Sequence, residues 1–251
     1  METIITDRDG DVGVITIDRP HVRNAVNPPA LREVAERITT WPQEGIRAIV
    51  ITGAGTASFS SGMDLRAMRA TPQREVAEAI AAFDAAMNDD HRVPVIAAVN
   101  GSAVGGGFEM VLRCDLAVAA DHAEFRLPEV QRGMVPGGGG TLLPSRIPLA
   151  IALEIGLVGR SITAARAYQL GLVNQIAPSH HVLRSAVALG QHIAGNGPRA
   201  VARTRQLMWK TAIDGAASAW SATRRTYDDP VLRSEMDEGV ASFLEKRKPN
   251  W

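Results

Sequence analysis

The sequence is poor in residues that mark several large classes of protein. Its 251 residues include one cysteine, Cys114, so no internal disulfide can form and a reducing compartment is predicted. The pattern favours Cys114 as a small buried side chain, with a reactive thiol as the alternative. Aromatic residues make up only 4% of the chain, which leaves no stripe of rings on which nucleic-acid bases could stack.

A net charge is also lacking, because 27 Lys and Arg residues balance 27 Asp and Glu residues. The chain as a whole therefore does not attract nucleic acid or an anionic membrane, and an anionic ligand must be held locally. Apolar runs stay far below the ~18 residues of a membrane span. The N-terminus, METIITDRDGDVGVITIDRP, has neither the basic nor the apolar part of a signal peptide. We predict a cytoplasmic protein without nucleic-acid or membrane partners.

Several common site motifs are missing. No Gly-x-Gly-x-x-Gly follows a strand with a ribose-binding acid in place, neither glycine cluster precedes Lys-Ser/Thr, and no serine lies in Gly-x-Ser-x-Gly. Metal-ligand spacing is absent from the histidines, so no metal is predicted. The six are His21, His91, His122, His180, His181 and His192. A composition of 45% hydrophobic and 22% charged residues suits a globular chain that buries a core as one domain or slightly more.

The hydrophobic pattern of the first half alternates between strand and helix, which predicts an α/β fold. Predicted strands cover residues 3–6, 12–18, 47–52, 94–99 and 115–119, the first two forming a hairpin around Asp9-Gly10-Asp11. One predicted helix begins at Pro28. A second carries Val76, Ile80, Phe83 and Met87 on one face, and a third covers residues 107–113.

The second half is mostly helical. Helical patterns cover residues 141–147, 149–158, 164–170, 180–195, 198–213, 215–226 and 231–246, with a short strand predicted at 173–176. We predict an α/β core over residues 1–190 and a C-terminal helical region over 191–251. Because the apolar faces of that region are long for one core to cover, we expect a homotrimer or homohexamer.

Chemistry concentrates around three consecutive glycines at 105–107, followed by Glu109. An apolar strand leads to these glycines and a helical pattern starts on them, so backbone N–H groups there point outward without partners and could hold an anion. A second acid, Glu129, comes 20 residues later (129 − 109 = 20), ahead of another glycine turn at 137–140. Two acids and two glycine turns therefore bracket one predicted strand.

The string AVNGSAVGGGFEMVLRCDLAVAADHAEFRLPEVQRGMVPGGGG resembles the signature of the crotonase superfamily, the enoyl-CoA hydratase/isomerase family. Matching features run from Ile15 to the C-terminus. The resemblance implies a spiral of ββα turns followed by a helical region that forms trimers, often paired into hexamers. It also implies an acyl-CoA thioester as the substrate. Coenzyme A is then part of the substrate, and no separate cofactor is expected.

The resemblance implies an oxyanion hole made of two backbone N–H groups. One belongs to Gly106, and the other to the residue before the aspartate in a loop at 59–65, which is Met63 here where the family more often has alanine. Two such donors stabilise negative charge on a thioester carbonyl by several kcal/mol. Because the donor is the backbone, methionine can serve, while its side chain alters the acyl pocket.

By the same resemblance Glu109 activates a water molecule, Glu129 exchanges a proton with the α-carbon, and the N–H of Gly137 helps to hold the water. Isomerase-like relatives typically work with one acid, so two acids favour an enoyl-CoA hydratase that adds water to a 2-trans-enoyl-CoA. An isomerase, dehydratase or hydrolase of the same superfamily remains the alternative. A non-catalytic binding protein built on the same scaffold is a second class.

Substrate contacts are implied for a further set of residues. Arg23 resembles a loop that contacts coenzyme A and could meet a phosphate, or it could be a solvated surface arginine. The other members are Ala25, Ser60, Ser61, Gly62, Asp64, Gly105, Gly107 and Pro128, of which Ser60, Ser61 and Asp64 would line the adenine-nucleotide end. Without the resemblance, Glu109 and Glu129 could be surface groups and the glycines a tight turn. We interpret Asp115 and Glu124 as structural.

Overall fold

A computed structural model describes residues 3–89, 92–215 and 229–251 of the chain. The helix predicted over 215–226 lies outside these residues apart from Gly215, and His91 lies outside them as well. Ten strands are present in the described part: β1 (Ile4–Asp9), β2 (Val12–Ile17), β3 (Ala48–Gly53), β4 (Ser58–Ser60), β5 (Val95–Val99), β6 (Ser102–Val104), β7 (Leu116–Ala120), β8 (Glu124–Arg126), β9 (Ile162–Thr163) and β10 (Gln175–Ala177).

The helices pack around these strands. In chain order they are α1 (Pro28–Thr40), α2 (Leu65–Ala70), α3 (Gln73–Asn88), α4 (Gly106–Arg113), α5 (Leu143–Arg146), α6 (Leu149–Val158), α7 (Ala164–Gln169), α8 (Val182–Ala194), α9 (Pro198–Asp214) and α10 (Pro230–Glu245). Short 3-10 turns cover Pro20–Val22, Trp41–Glu44, Glu129–Arg132, Gly140–Leu142 and Ser179–His181.

The strands form two sheets. The larger has the order β1-β2-β3-β5-β7-β10, and the smaller has the order β4-β6-β8-β9. Pairing is parallel except at the hairpin β1-β2 and between β8 and β9. The chain passes from β3 to β4, from β5 to β6 and from β7 to β8, so each turn adds one strand to each sheet before a helical segment returns. This is the repeated ββα turn that the resemblance implies, and the predicted α/β class is confirmed.

The core lies on the larger sheet. Strands β3 and β5 are buried along their whole length, as their continuous apolar runs predict for parallel strands covered on both faces. Helix α8 covers this sheet so closely that a Cβ added to Gly190 would lie 3.1 Å from the Cγ1 atom of Val12. The predicted boundary after residue 190 falls inside this helix.

One predicted helix face is wrong at Ile80, whereas Phe83 and Met87 on the same predicted face are buried. In α3 the buried residues are Ala79, Phe83, Ala86 and Met87, whereas Ile80 is 37% exposed. Small alanine side chains let this helix lie close to α1, so the face is centred on them rather than on the larger isoleucine. No helix in the described ranges is both long and apolar enough to cross a membrane.

Candidate active site

The smaller sheet positions the site. Strand β4 pairs in parallel with β6, and β6 in parallel with β8, so the carboxyl ends of the three strands meet at one edge. Within three residues of those ends come Met63, Gly106 and Glu129, respectively. The structure therefore brings together the two predicted N–H donors and one of the two acids, although they are far apart in the sequence.

Two backbone N–H groups at this edge are free to bind an oxyanion. The loop around Met63 is held by Val26, whose N–H donates to the Gly62 carbonyl and whose carbonyl accepts from the Asp64 N–H, both at 2.8 Å. The Met63 N–H lies between these bonds, and within the described residues neither it nor the Gly106 N–H has an acceptor. A Cβ built on Gly106 would lie 3.6 Å from the Met63 nitrogen, so both donors border the same small space.

Each of the three consecutive glycines is required for a different reason. Gly105 has a φ of 56°, which side chains rarely adopt. A Cβ on Gly107 would lie 2.1 Å from the Ser60 carbonyl oxygen, which is too close for any side chain. Gly106 has neither constraint, and the nearest atoms to its Cβ position belong to Gly62, Met63 and Glu109. Its lack of a side chain keeps the donor open to a ligand.

Glu109 is buried at 7% exposure in the first turn of α4. Its Oε1 atom accepts hydrogen bonds from the N–H groups of Gly138 at 2.7 Å and Gly140 at 3.0 Å. Its Oε2 atom lies 3.8 Å from the Cβ position of Gly106. The glycine turn therefore fixes the carboxylate through one oxygen and leaves the other beside the oxyanion hole.

Glu129 is the second acid of the site. Its Oε1 atom lies 3.0 Å from the Cβ position of Gly105, and its Oε2 atom is buried without a hydrogen-bond partner. Burial raises the pKa of Glu129 above its usual value of 4.5, and the neighbouring Glu109 charge raises it further. Glu129 thus keeps its proton to higher pH than an exposed glutamate.

The glycine turn differs from the prediction at Gly137. Its N–H donates to the Val135 carbonyl at 2.9 Å, so a tight turn occupies the group that the resemblance assigned to the water. The N–H groups that point toward Glu109 belong to Gly138 and Gly140. Sequence alone could not show which of four consecutive glycines faces the acid.

Several predicted substrate contacts prove to be internal. Ser60 is fully buried and its hydroxyl donates to the Asn24 carbonyl at 2.8 Å, so it cannot reach a ligand. Asp64 caps α2 through the N–H groups of Arg66 and Ala67. Those backbone bonds and an ion pair with Arg19 at 2.9 Å lower the pKa of Asp64. The two side chains position the Met63 loop.

Ala25 also lies mostly inside the chain. It is buried at 6% exposure, its N–H donates to Val22, and its carbonyl accepts from the Arg19 guanidinium. Its N–H is therefore used within the chain, and a contact of Ala25 with the substrate stays a prediction.

The remaining predicted contacts lie at or near the edge of the smaller sheet. Arg23 is exposed, and its guanidinium has no hydrogen bond to the described residues. The Ser61 hydroxyl is partly buried against the Val22 carbonyl at 3.3 Å. Gly62 packs against Gly106, and Pro128 is half-buried directly before Glu129. For these four residues, a role in substrate binding stays a prediction.

Two asparagines that sequence reasoning missed support the site. Asn24 is fully buried with a φ of 55°, and its amide donates to the carbonyls of Ala54 and Ser58. Asn100 accepts from the Gly53 N–H at 3.0 Å and also donates to Ser58. Both therefore brace β4, which leads to Met63. Their only signal in the sequence is that each lies in a loop directly after a strand or turn.

A separate buried cluster lies at the amino-terminal ends of β5 and β7. Asp115 accepts hydrogen bonds from Arg92, Arg205 and Trp209, as expected for a structural role. It borders a mainly apolar cavity of about 560 Å³ whose lining includes none of the site residues. Cys114 is fully buried, which raises its pKa to about 12. The prediction of a small buried residue is confirmed.

A metal site does not form in the described part of the chain, since no group of three or more His, Cys, Asp or Glu side chains converges there. The candidate site thus consists of two carboxylates and two backbone N–H donors on a glycine-rich frame. Such a frame can stabilise negative charge on a carbonyl oxygen while the acids move protons.

Comparison with known proteins finds similar chains over the whole length of this one. The family model described as enoyl-CoA hydratase/isomerase matches residues 7–251. A carnitinyl-CoA dehydratase from Salmonella arizonae is 35% identical and a probable enoyl-CoA hydratase from Mycobacterium bovis is 34% identical, each over 100% of this chain and 98% of the relative. The crystal structure of an enoyl-CoA hydratase from Bacillus anthracis superposes with a TM-score of 0.89 at 30% identity, over 100% of this chain and 99% of that one.

Proposed function

Since this chain belongs to the enoyl-CoA hydratase/isomerase family, we propose that it adds water across the double bond of a 2-trans-enoyl-CoA to give a 3-hydroxyacyl-CoA. The observation that carries the proposal is the pair of unbonded N–H groups of Met63 and Gly106 beside two carboxylates. A thioester carbonyl placed between these donors would be polarised as negative charge develops on its oxygen.

The two acids divide the proton transfers. Glu109, held through Oε1, presents Oε2 toward the hole and takes a proton from water as the water oxygen bonds to the β-carbon. The electron pair of the double bond moves toward the carbonyl oxygen in the oxyanion hole. Glu129, whose pKa is raised by burial, then donates its proton to the α-carbon. Transfer of the water-derived proton to Glu129 through solvent restores the starting state.

Dehydration of a 3-hydroxyacyl-CoA is the reverse of this sequence, and the 35% identity to a carnitinyl-CoA dehydratase makes that direction the second candidate. The same two carboxylates serve both directions. A 1,3-proton shift differs, because one carboxylate can move the proton between carbons by itself. The number of required acids therefore separates hydratase from isomerase.

The test measures hydration of crotonyl-CoA by the loss of enoyl-thioester absorbance, with 3-hydroxybutyryl-CoA supplied for the reverse direction. Glu109→Gln and Glu129→Gln should each lower hydration by at least the ~10²-fold that a positioned acid or base supplies, with little change in acyl-CoA binding. The double variant should lose less than the product of the single losses, because the groups act as a unit.

Glu124→Gln is the matched control, since Glu124 is an exposed glutamate on β8 and should keep full activity. A silent Glu109→Gln combined with a Glu129→Gln that abolishes conversion of a 3-enoyl-CoA to a 2-enoyl-CoA would indicate a single-acid isomerase. Tight acyl-CoA binding with no turnover in any of these assays would indicate a non-catalytic binding protein.

A further inference from the structure

Helix α4 carries a second ionisable residue that faces the glycine turn. Arg113 lies four residues after Glu109, which places both side chains on the same side of the helix. Arg113 is buried at 7% exposure. Its Nη1 atom donates to the Gly138 carbonyl at 3.3 Å, and the Gly138 N–H donates to Oε1 of Glu109 at 2.7 Å. Gly138 is thus hydrogen-bonded through both its N–H and its carbonyl to side chains one helical turn apart.

The guanidinium is itself fixed by the end of α3. It forms an ion pair with the Asp84 carboxylate, donates to the Asp84 carbonyl at 3.2 Å, and donates to Asn88 at 3.3 Å. The Phe83 ring lies 5.2 Å from its central carbon. A rigid, planar guanidinium with several donors can hold these groups and the glycine turn at once.

The glycine turn also packs directly on the arginine stem. A Cβ added to Gly139 would lie 3.0 Å from both Cγ and Cδ of Arg113, and 3.0 Å from the Glu109 carbonyl oxygen. The turn therefore contacts α4 at both the Arg113 stem and the Glu109 residue. Removal of the arginine would leave the Gly138 carbonyl without this donor and a space beneath the turn.

We propose that Arg113 is a positioning residue that acts on Glu109 through Gly138. It fixes the turn so that the Gly138 N–H reaches Oε1 and Oε2 stays directed at the reacting water. The inference rests on the proposed hydratase function for its kinetic consequence. It assigns no contact between Arg113 and the substrate.

The kinetic test compares two reactions that use different parts of the site. Hydration requires Glu109, whereas exchange of the α-hydrogen of butyryl-CoA with D₂O requires the oxyanion hole and Glu129. In the exchange, ionised Glu129 removes the α-proton, the C–H electron pair moves onto the carbonyl oxygen, and a deuteron acquired by Glu129 from solvent returns to carbon. Arg113→Met should lower kcat for hydration by about 10²-fold, the effect of an ~1 Å misplacement, with KM and the exchange rate nearly unchanged.

Arg47→Met is the matched control, because Arg47 is a partly buried arginine that donates to the Ala194 carbonyl at 3.1 Å and, within the described residues, forms no hydrogen bond to α4 or the glycine turn. Any loss from general destabilisation should lower both reactions of this control in the same proportion. Arg113→Lys keeps a positive charge beside Asp84, which protects folding, but its single ammonium cannot hold all the partners. It should show the same selective loss of hydration, to a smaller extent.

Amide hydrogen exchange of the peptide that covers residues 133–142 gives a readout that does not depend on activity. Faster exchange of this peptide is expected in Arg113→Met, and unchanged exchange is expected in Arg47→Met. Unchanged protection of this peptide, or equal losses of hydration and α-exchange, would overturn the inference. A wild-type protein that catalyses neither reaction would overturn the proposed function instead, while the hydrogen-exchange result would still decide whether Arg113 holds the turn.

Discussion

The three consecutive glycines at 105–107 allow a sharp test, because alanine should act differently at each. At Gly106 the backbone φ is outside the left-handed region and the residue begins α4, so the backbone conformation suits alanine. Its methyl carbon would lie 3.3 Å from the Gly62 Cα and 3.6 Å from the Met63 nitrogen. The methyl group would thus narrow the space between the two donors.

The expected loss of kcat in Gly106→Ala follows from the effect of losing one oxyanion-hole N–H donor. Loss of one oxyanion-hole hydrogen bond lowers kcat by about 10²–10³, or ~2.7–4 kcal/mol of transition-state stabilisation. A methyl group that displaces the carbonyl from Met63 and Gly106 should reach at least the lower end of this range. Gly107→Ala should instead prevent folding, since its Cβ would lie 2.1 Å from the Ser60 oxygen. Gly105→Ala should destabilise the fold by about 1–3 kcal/mol because of its positive φ.

The assay is steady-state hydration of crotonyl-CoA together with thermal unfolding followed by circular dichroism. Gly195→Ala serves as the control, because the nearest atoms to its added Cβ are at an ordinary 3.6 Å and the residue is exposed. Gly106→Ala with wild-type kcat and an unchanged melting temperature would refute the reasoning, because the carbonyl would then have to bind elsewhere.

Two further predictions concern pH and assembly. Because the pKa of Glu129 is raised in the folded state, the folded protein loses stability as pH rises from the usual value of 4.5 through the raised value. Glu129→Gln should therefore raise the melting temperature at pH 8 but not at pH 4. An equal rise at both pH values would contradict the predicted direction of the pH dependence. Helices α6, α9 and α10 carry exposed apolar side chains, among them Phe243 at 81%, Leu244 at 72% and Leu157 at 68%. These side chains predict a trimer or hexamer. A monomer in light scattering at micromolar concentration would contradict this prediction.

The larger sheet could be predicted because its strands are long enough to show a pattern. The buried runs at 48–53 and 95–99 are continuous and apolar, and the hairpin at the N-terminus alternates around Asp-Gly. The smaller sheet could not be predicted. Its strands β4, β6 and β8 have three residues each, which is too few for a period of two to stand out from a loop.

Because the smaller sheet could not be predicted from the hydrophobic pattern, the parts of the site that depend on it could not be predicted either. The resemblance identified the two acids and both donors by position, but the partners of the acids depend on how short segments pack. Arg113 reads in the sequence as an ordinary basic residue at the end of a helix, and its bonds to Asp84 and Gly138 arise only when α3 and the glycine turn come together. Ser60 and Asp64 match the family loop, yet hydrogen bonds turn both side chains inward.

One aromatic pair connects the two segments that carry the acids. Phe108 on α4 and Phe125 on β8 are both fully buried, with ring centroids 5.3 Å apart. Since side chains alternate along a strand, a slip of β8 by one residue would expose Phe125 and bury its polar neighbours. Glu109 directly follows one ring, and Glu129 lies four residues after the other. The contact that favours this register of β8 therefore also helps to keep both carboxylates near the consecutive glycines at 105–107.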